Sequence, residues 1–331
     1  MCRAHAPETP GEIVFGIGLG HNEISRPLPT GGSGIPRSCA MSSTSQPESP
    51  AYTPPLTPAA PETESEGTSG RLRGIQTRSF ATLRTISALI LREMATTYGR
   101  SAGGYIWTVL EPAGGIAMMT LIFSLGFRSP PLGINFPIFY ASGLVPFLMY
   151  LDMSGKISVS LMFSRQLLAY PAVTYVDAIL ARFILNMLTQ LMVAYLIFSG
   201  ILILFETRTT LELDRLALGF AMTAALALGV GGMNCFLMFM YPLWQRMWGI
   251  VNRPLFLLSC IFYTFESVPQ PYQDILWYIP TVHLTGTYRA AFYPGYDAAY
   301  VSPIYVFGIS GLMLMMGLLF LRRYYRDILN A

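Results

Sequence analysis

Hydrophobic positions are sparse and aperiodic over the first 70 residues; beyond them they gather into long runs separated by short polar stretches. Four runs contain no charge at all: Ser129–Leu151, Phe183–Phe205, Leu216–Gln245 and Ala298–Leu321. Each exceeds the ~18 apolar residues that mark a membrane-spanning helix. The runs and their polar flanks predict six spans. These are Tyr105–Phe127, Ile138–Phe163, Arg182–Phe205, Leu216–Tyr241, an irregular fifth at Pro254–Phe265, and Ala298–Leu321. The fifth has only 12 uncharged residues, about 18 Å of helix against a hydrocarbon core of about 30 Å. It must borrow the Trp248–Arg253 turn to cross.

Ahead of the first span the period changes. Phe80, Leu83, Ile86, Ile90, Met94 and Tyr98 recur at spacings of three and four, with Arg78, Arg84 and Arg92 between them. That pattern predicts an amphipathic helix with a basic side, suited to lying on an anionic membrane surface. Between spans five and six, Glu266–Asp297 alternates aromatics, prolines and a few charges. It predicts helical pieces that enter the outer half of the membrane and return. Such backbone is tolerated only where protein buries it or where it lines a wet cavity. The fold class expected is an all-α polytopic membrane protein. It has a disordered tail over 1–70, an interfacial helix over 71–104 and a six-span domain over 105–331.

Composition agrees and adds little: 53% of residues are hydrophobic and 12% charged, half the charge of an ordinary soluble domain. The tail holds eleven prolines by Pro61 and cannot bury enough apolar surface to offset its ordering entropy. The placement of charge is more informative than the net value of +3. Twelve arginines, from Arg71 to Arg326, fall on the side that holds both termini. Only Arg128, Arg208, Arg215 and Arg289 fall on the other. The positive-inside rule then puts both termini in the cytoplasm. Two charges lie within a span. Asp152 and Lys156 are four apart on one helix face, acid first, the favourable order for a pair. They read either as a pair near the helix end or as a polar patch facing a water-filled pathway.

Candidate chemistry is thin. Cys2, Cys39, Cys235 and Cys260 show no metal spacing, so no metal site is expected. His283 is the sole histidine beyond the tail, and no acid clusters with it as an enzyme would require. No Gly-x4-Gly-Lys-Ser/Thr phosphate loop occurs; Gly155-Lys156 lacks both the first glycine and the hydroxyl. Gly229-Val-Gly-Gly232 lies inside an apolar run, where missing side chains let helices approach closely. A transport subunit, an integral membrane enzyme such as an acyltransferase, and a structural membrane protein remain open on these grounds.

The stretch Arg92-Glu93…Tyr98-Gly99-Arg100-Ser101…Gly104-Tyr105-Ile-Trp107…Glu111-Pro112 resembles the opening segment of type-2 ABC exporter permeases of the capsular-polysaccharide and O-antigen group. The resemblance continues through Gly143-Leu-Val-Pro146, Leu168-Ala-Tyr170-Pro171, Arg253-Pro254, Trp277…Pro280…His283 and Arg322-Arg323-Tyr-Tyr-Arg326. It covers about residues 75–331.

What the resemblance implies is a homodimer of non-enzymatic permeases in the cell inner membrane. Each copy docks on a separate ATPase chain that holds ATP and Mg, and further periplasmic and outer-membrane export components complete the system. No nucleic acid is involved. The exported substrate would be a lipid-linked polysaccharide; export of a small amphiphile or drug is the alternative. Arg92, Glu93 and Arg100 would then transmit motion from the ATPase. Arg165, Gln166 and Tyr170 would touch it through a coupling helix. The pieces over 267–292 would close the outer mouth. A glycan pathway needs aromatic platforms, which Tyr263, Phe265, Trp277, Tyr278, Tyr288 and Tyr293 offer near the outer half. An aromatic belt at the membrane interface accounts for them equally well.

Overall fold

A computed structural model describes residues 81–97, 104–168, 174–207 and 209–330. The side chains described omit those of 81–83, those at either end of the 98–103 gap, those from 165 onward in the fourth helix, and those beyond 324. The expected tail, and with it Arg100 and Tyr170, lies outside the described residues. Among the described residues there are ten α-helices and no strand.

Helix α1 (Ala81–Thr97) falls within the segment read as amphipathic, and its Ile86 is buried. α2 (Gly104–Gly126) is the first span, and Pro112 lies well inside it. There it removes the helical hydrogen bond that would reach the carbonyl of Thr108. α3 (Phe136–Ser158) begins with Pro137 in its first turn, where proline costs little. The predicted second span ran on to Phe163, but α3 stops at Ser158 and a separate helix α4 (Ser160–Leu168) follows. At the break the Lys156 carbonyl accepts instead from outside its helix, from the Arg182 guanidinium at 3.0 Å.

α5 (Tyr175–Leu204) starts seven residues before the predicted third span, because Thr174 and Asp177 form a capping box. The Asp177 amide donates to the Thr174 hydroxyl at 3.2 Å, and the Thr174 amide donates to the Asp177 carboxylate at 3.1 Å. α6 (Leu213–Met240) matches the fourth span to within a turn.

The largest difference falls next. The stretch between the predicted fourth and fifth spans, Pro242–Arg253, is helical, and α7 (Pro242–Leu258) contains it. Pro242 starts it at a first-turn position. Ser259 caps it, and Cys260, with φ 55°, takes the left-handed conformation that commonly ends helices. The apolar residues after Leu258 are therefore not helical, and α7 is a 17-residue helix, about 25 Å long. A short 3-10 turn (Phe265–Ser267), α8 (Tyr272–Trp277) and α9 (Pro280–Phe292) follow as the expected helical pieces. α10 (Pro303–Asn330) closes the chain.

Among the described residues five helices, α2, α3, α5, α6 and α10, are long and apolar enough to cross a membrane. α6 is the centre of the packing, with α10 on one side and α3 on the other. α9 wedges between α3 and α6, and each of its twelve residues after Pro280 is buried. α2 and α7 lie at the margin; α7 buries no residue, and Trp107, Leu121 and Leu125 of α2 are exposed. Contacts of Cys235 with Ser160 and of Phe236 with Phe320 place the ends of α6 and α10 beside α4. The opposite end of the bundle carries α8 and α9.

Candidate functional sites at the two ends of the bundle

At the α4 end, four helices converge on one side chain. Arg182 lies two turns into α5 and is 6% exposed. Its Nε sits 2.8 Å from Glu93 Oε1 on α1. Its Nη1 donates to the Lys156 carbonyl in the last turn of α3, and its guanidinium lies 4.4 Å from the centre of the Phe163 ring on α4. Arg92 lies over the same ring at 5.9 Å. Of the predicted coupling residues, Arg92 and Glu93 are thus brought together with α4. Arg165 and Gln166 fall on α4 with their side chains outside the described residues, where Arg100 and Tyr170 also lie. Arg182 itself went unnoticed in the sequence because it reads as the polar edge of a span.

One and a half turns further into the bundle, Lys156 Nζ donates to Asp152 Oδ2 at 2.8 Å, the predicted pair. Gln190 Nε2 on α5 donates to the same oxygen at 2.6 Å. Asp152 and Gln190 border a cavity of about 220 Å³ that Thr108 and Glu111 of α2 line from the other side, with Leu148 and Leu151 as apolar walls. Asp152 borders this cavity, while Lys156 lies in the last turn of α3. Gln190 was legible only as an amide within an uncharged run.

Asp152→Asn should lower thermal stability in detergent by about 1–3 kcal/mol, since hydrogen bonds to charged groups carry that much. A second change, Lys156→Met, should recover part of the loss by removing the stranded ammonium. An unchanged melting temperature in the single variant would show that the pair contributes nothing.

At the α9 end, the six predicted aromatics separate by burial. Tyr278 is exposed and Tyr263 and Trp277 are half-buried, whereas Phe265, Tyr288 and Tyr293 are buried. Tyr288 packs edge-on against Phe220 at 5.3 Å, inside the α6–α9 contact. Phe265 stacks on Tyr300 at 4.1 Å. His283 is structural, as its isolation in the sequence suggests. Its Nδ1 accepts from the Ser302 amide at 3.3 Å, so Nε2 carries the proton and donates to the Trp277 carbonyl at 2.8 Å. Trp277 Nε1 donates in turn to the Tyr300 carbonyl at 3.0 Å, and the Tyr305 hydroxyl to the Tyr278 carbonyl at 2.7 Å. These bonds pin the α8–α9 hairpin to the start of α10.

Arg289, counted in the sequence among the four arginines on the side opposite the termini, is fully buried. Nη1 donates to the Tyr263 carbonyl at 2.7 Å and Nη2 to the Ile261 carbonyl at 3.0 Å, and the guanidinium lies 4.4 Å over the Phe139 ring. It satisfies carbonyls that the non-helical stretch after α7 leaves without helical partners, as buried backbone requires.

Among the described residues no group of acids, histidines or cysteines could bind a metal. The described helices form a membrane protein with α1 tied to one end of the bundle and the α8–α9 hairpin tied to the other.

Comparison with known proteins narrows this. No protein-family profile matches the chain. A polysialic acid transport protein KpsM of Escherichia coli is 30% identical over 237 residues, which is 71% of this chain and 91% of that protein. The capsule polysaccharide export inner-membrane protein CtrC of Neisseria meningitidis is 24% identical over 245 residues, 74% of this chain and 92% of CtrC. BexB of Haemophilus influenzae, of the same description, is 22% identical over 246 residues, again 74% of this chain and 92% of that protein. The chain belongs to the capsule polysaccharide export inner-membrane proteins, the permeases of type-2 ABC exporters.

Proposed function

We propose that this chain is the permease subunit of an ATP-driven exporter that moves capsular or related lipid-linked polysaccharide from the cytoplasm across the inner membrane. The observation that carries the reading is the 30% identity to a polysialic acid transport protein over 91% of that protein's length. ATP and Mg belong to a separate ATPase, because this chain has no phosphate loop. Two permease copies form the pathway, with both termini in the cytoplasm, and further export components act beyond the membrane. The three-part division at residues 70 and 104 accompanies that reading.

On this reading the α4 end is the ATPase side. α1 is the interfacial helix, and α4, with Arg165 and Gln166 and the following Tyr170, is the coupling element. Arg92, Glu93 and Arg100 pass its movement on. The α8–α9 hairpin closes the outer mouth. Tyr263, Trp277 and Tyr278 keep enough exposure to offer rings to the apolar faces of sugars, while Phe265, Tyr288 and Tyr293 are buried. Asp152 and Lys156 keep a polar cavity hydrated within the inner half.

Deleting the gene in its own host tests the reading. Polysaccharide should accumulate inside the cell and vanish from the surface, and a tagged copy should restore the surface polymer and co-purify with an ATPase. Normal surface polysaccharide in the deletion strain would overturn it.

A further inference from the structure

Arg182 has more partners than a helix anchor needs. A guanidinium carries five donors in a planar fork, and here one such group meets four elements at once: its own α5, α1 through Glu93, α3 through the Lys156 carbonyl, and α4 through Phe163. The contact with α3 is the most informative. α3 ends at Ser158, so the Lys156 carbonyl is among the last four of that helix, which lack an intrahelical donor. Arg182 supplies one. The same guanidinium that holds α1 therefore also stabilises the break that separates α4 from the span.

Lys156 links this junction to the interior. Its carbonyl accepts from Arg182, while its side chain, one helix segment long, reaches back to Asp152. Asp152 is held by Gln190, and both border the cavity that Glu111 also lines. Polar contacts thus run without interruption from Glu93 on α1, through Arg182 and the Lys156 residue, to a cavity within the inner part of the bundle. Contiguity alone does not establish coupling. What distinguishes this path is its position at a helix break, where Arg182 touches both α3 and α4.

We propose that Arg182 is a positioning residue for transport. It makes α1, the α3–α4 break and α5 move as one body, so that displacement of α4 reaches the Asp152–Lys156–Gln190 cluster. This inference rests on the exporter reading above.

The test uses the full-length permease co-purified with its ATPase, and host cells in which each variant replaces the native copy. Two quantities are read: surface relative to intracellular capsular polysaccharide, and ATP hydrolysis by the complex with and without polysaccharide extracted from the same host. Arg182→Gln should lower exported polysaccharide per ATP hydrolysed by roughly 2- to 30-fold, the range single residues on coupling routes produce. Arg182→Lys keeps the charge but not the fork and should fall between. The exchange Glu93→Arg with Arg182→Glu should not restore the ratio, because glutamate cannot donate to the Lys156 carbonyl.

A merely structural role would lower the amount of complex, with export and hydrolysis falling together at an unchanged ratio. That outcome overturns the proposal, as does a wild-type ratio in Arg182→Gln or full rescue by the exchange. Failure of wild-type cells to depend on the permease for surface polysaccharide would instead sink the exporter reading.

Discussion

Gly317→Val should leave little folded protein. A Cβ at Gly317 would lie 2.8 Å from the Gly232 carbonyl carbon and oxygen and from the Met233 amide nitrogen, all backbone atoms of α6. Two turns earlier in α10, the Ser310 backbone blocks any Cβ on Gly229 in the same way. Backbone cannot swing aside as a flexible side chain does, so α6 and α10 would have to separate, and theirs is the most extensive helix contact in the molecule. Overpacking of cores costs about 1–3 kcal/mol and more where backbone must move, against a total stability of about 5–15 kcal/mol. Gly311→Val on the same helix is the control, since a Cβ there meets nothing within 4 Å. The measurement is the monodisperse fraction after detergent extraction, with the melting temperature. Equal behaviour of the two variants would show that close approach of these helices is not what holds them.

Arg289→Leu should open the stretch between α7 and α8. Two carbonyls, of Ile261 and Tyr263, lose their donor, and each orphaned buried polar group costs about 1–3 kcal/mol. The stacking of the guanidinium over Phe139 is lost as well. Arg289→Lys should be intermediate, because an ammonium cannot span both carbonyls in the planar geometry of a guanidinium. A native reporter lies inside the stretch: Cys260 is fully buried. In a background with Cys2, Cys39 and Cys235 changed to serine, its thiol should resist a maleimide in the parent and react in Arg289→Leu. Equal protection in both proteins would mean that other contacts hold the stretch. On the exporter reading, the same variant should also leak or fail at the outer mouth, because the α8–α9 hairpin is seated on this segment.

Much of the fold was legible because membrane spans announce themselves by length and apolarity alone. α2, α5 and α6 coincide with predicted spans to within one or two turns. The errors cluster where local chemistry outweighs hydropathy. Asp177 lies outside the predicted spans, yet with Thr174 it builds a capping box that extends α5 outward. Pro242 follows the predicted end of the fourth span at Tyr241, yet a proline in the first turn starts α7. The Asp152–Lys156 pair was visible from its spacing, which a helix makes deterministic. Gln190, which completes it from 34 positions beyond Lys156, has no local signature.

The sequence by itself determined that this is an all-helical polytopic membrane protein, that it carries no nucleotide-binding loop, and that Gly229 and Gly232 prepare a close helix approach. These are properties of composition and short-range periodicity, which survive without knowing any neighbour. Only the tertiary structure decided that Gly317 is the counterpart of Gly232, that Arg182 gathers α1, α3 and α4, and that Arg289 is buried against Phe139. The reason is common to all three: a glycine or an arginine takes its role from the atoms opposite it, and those atoms come from segments that only the folded chain brings into contact.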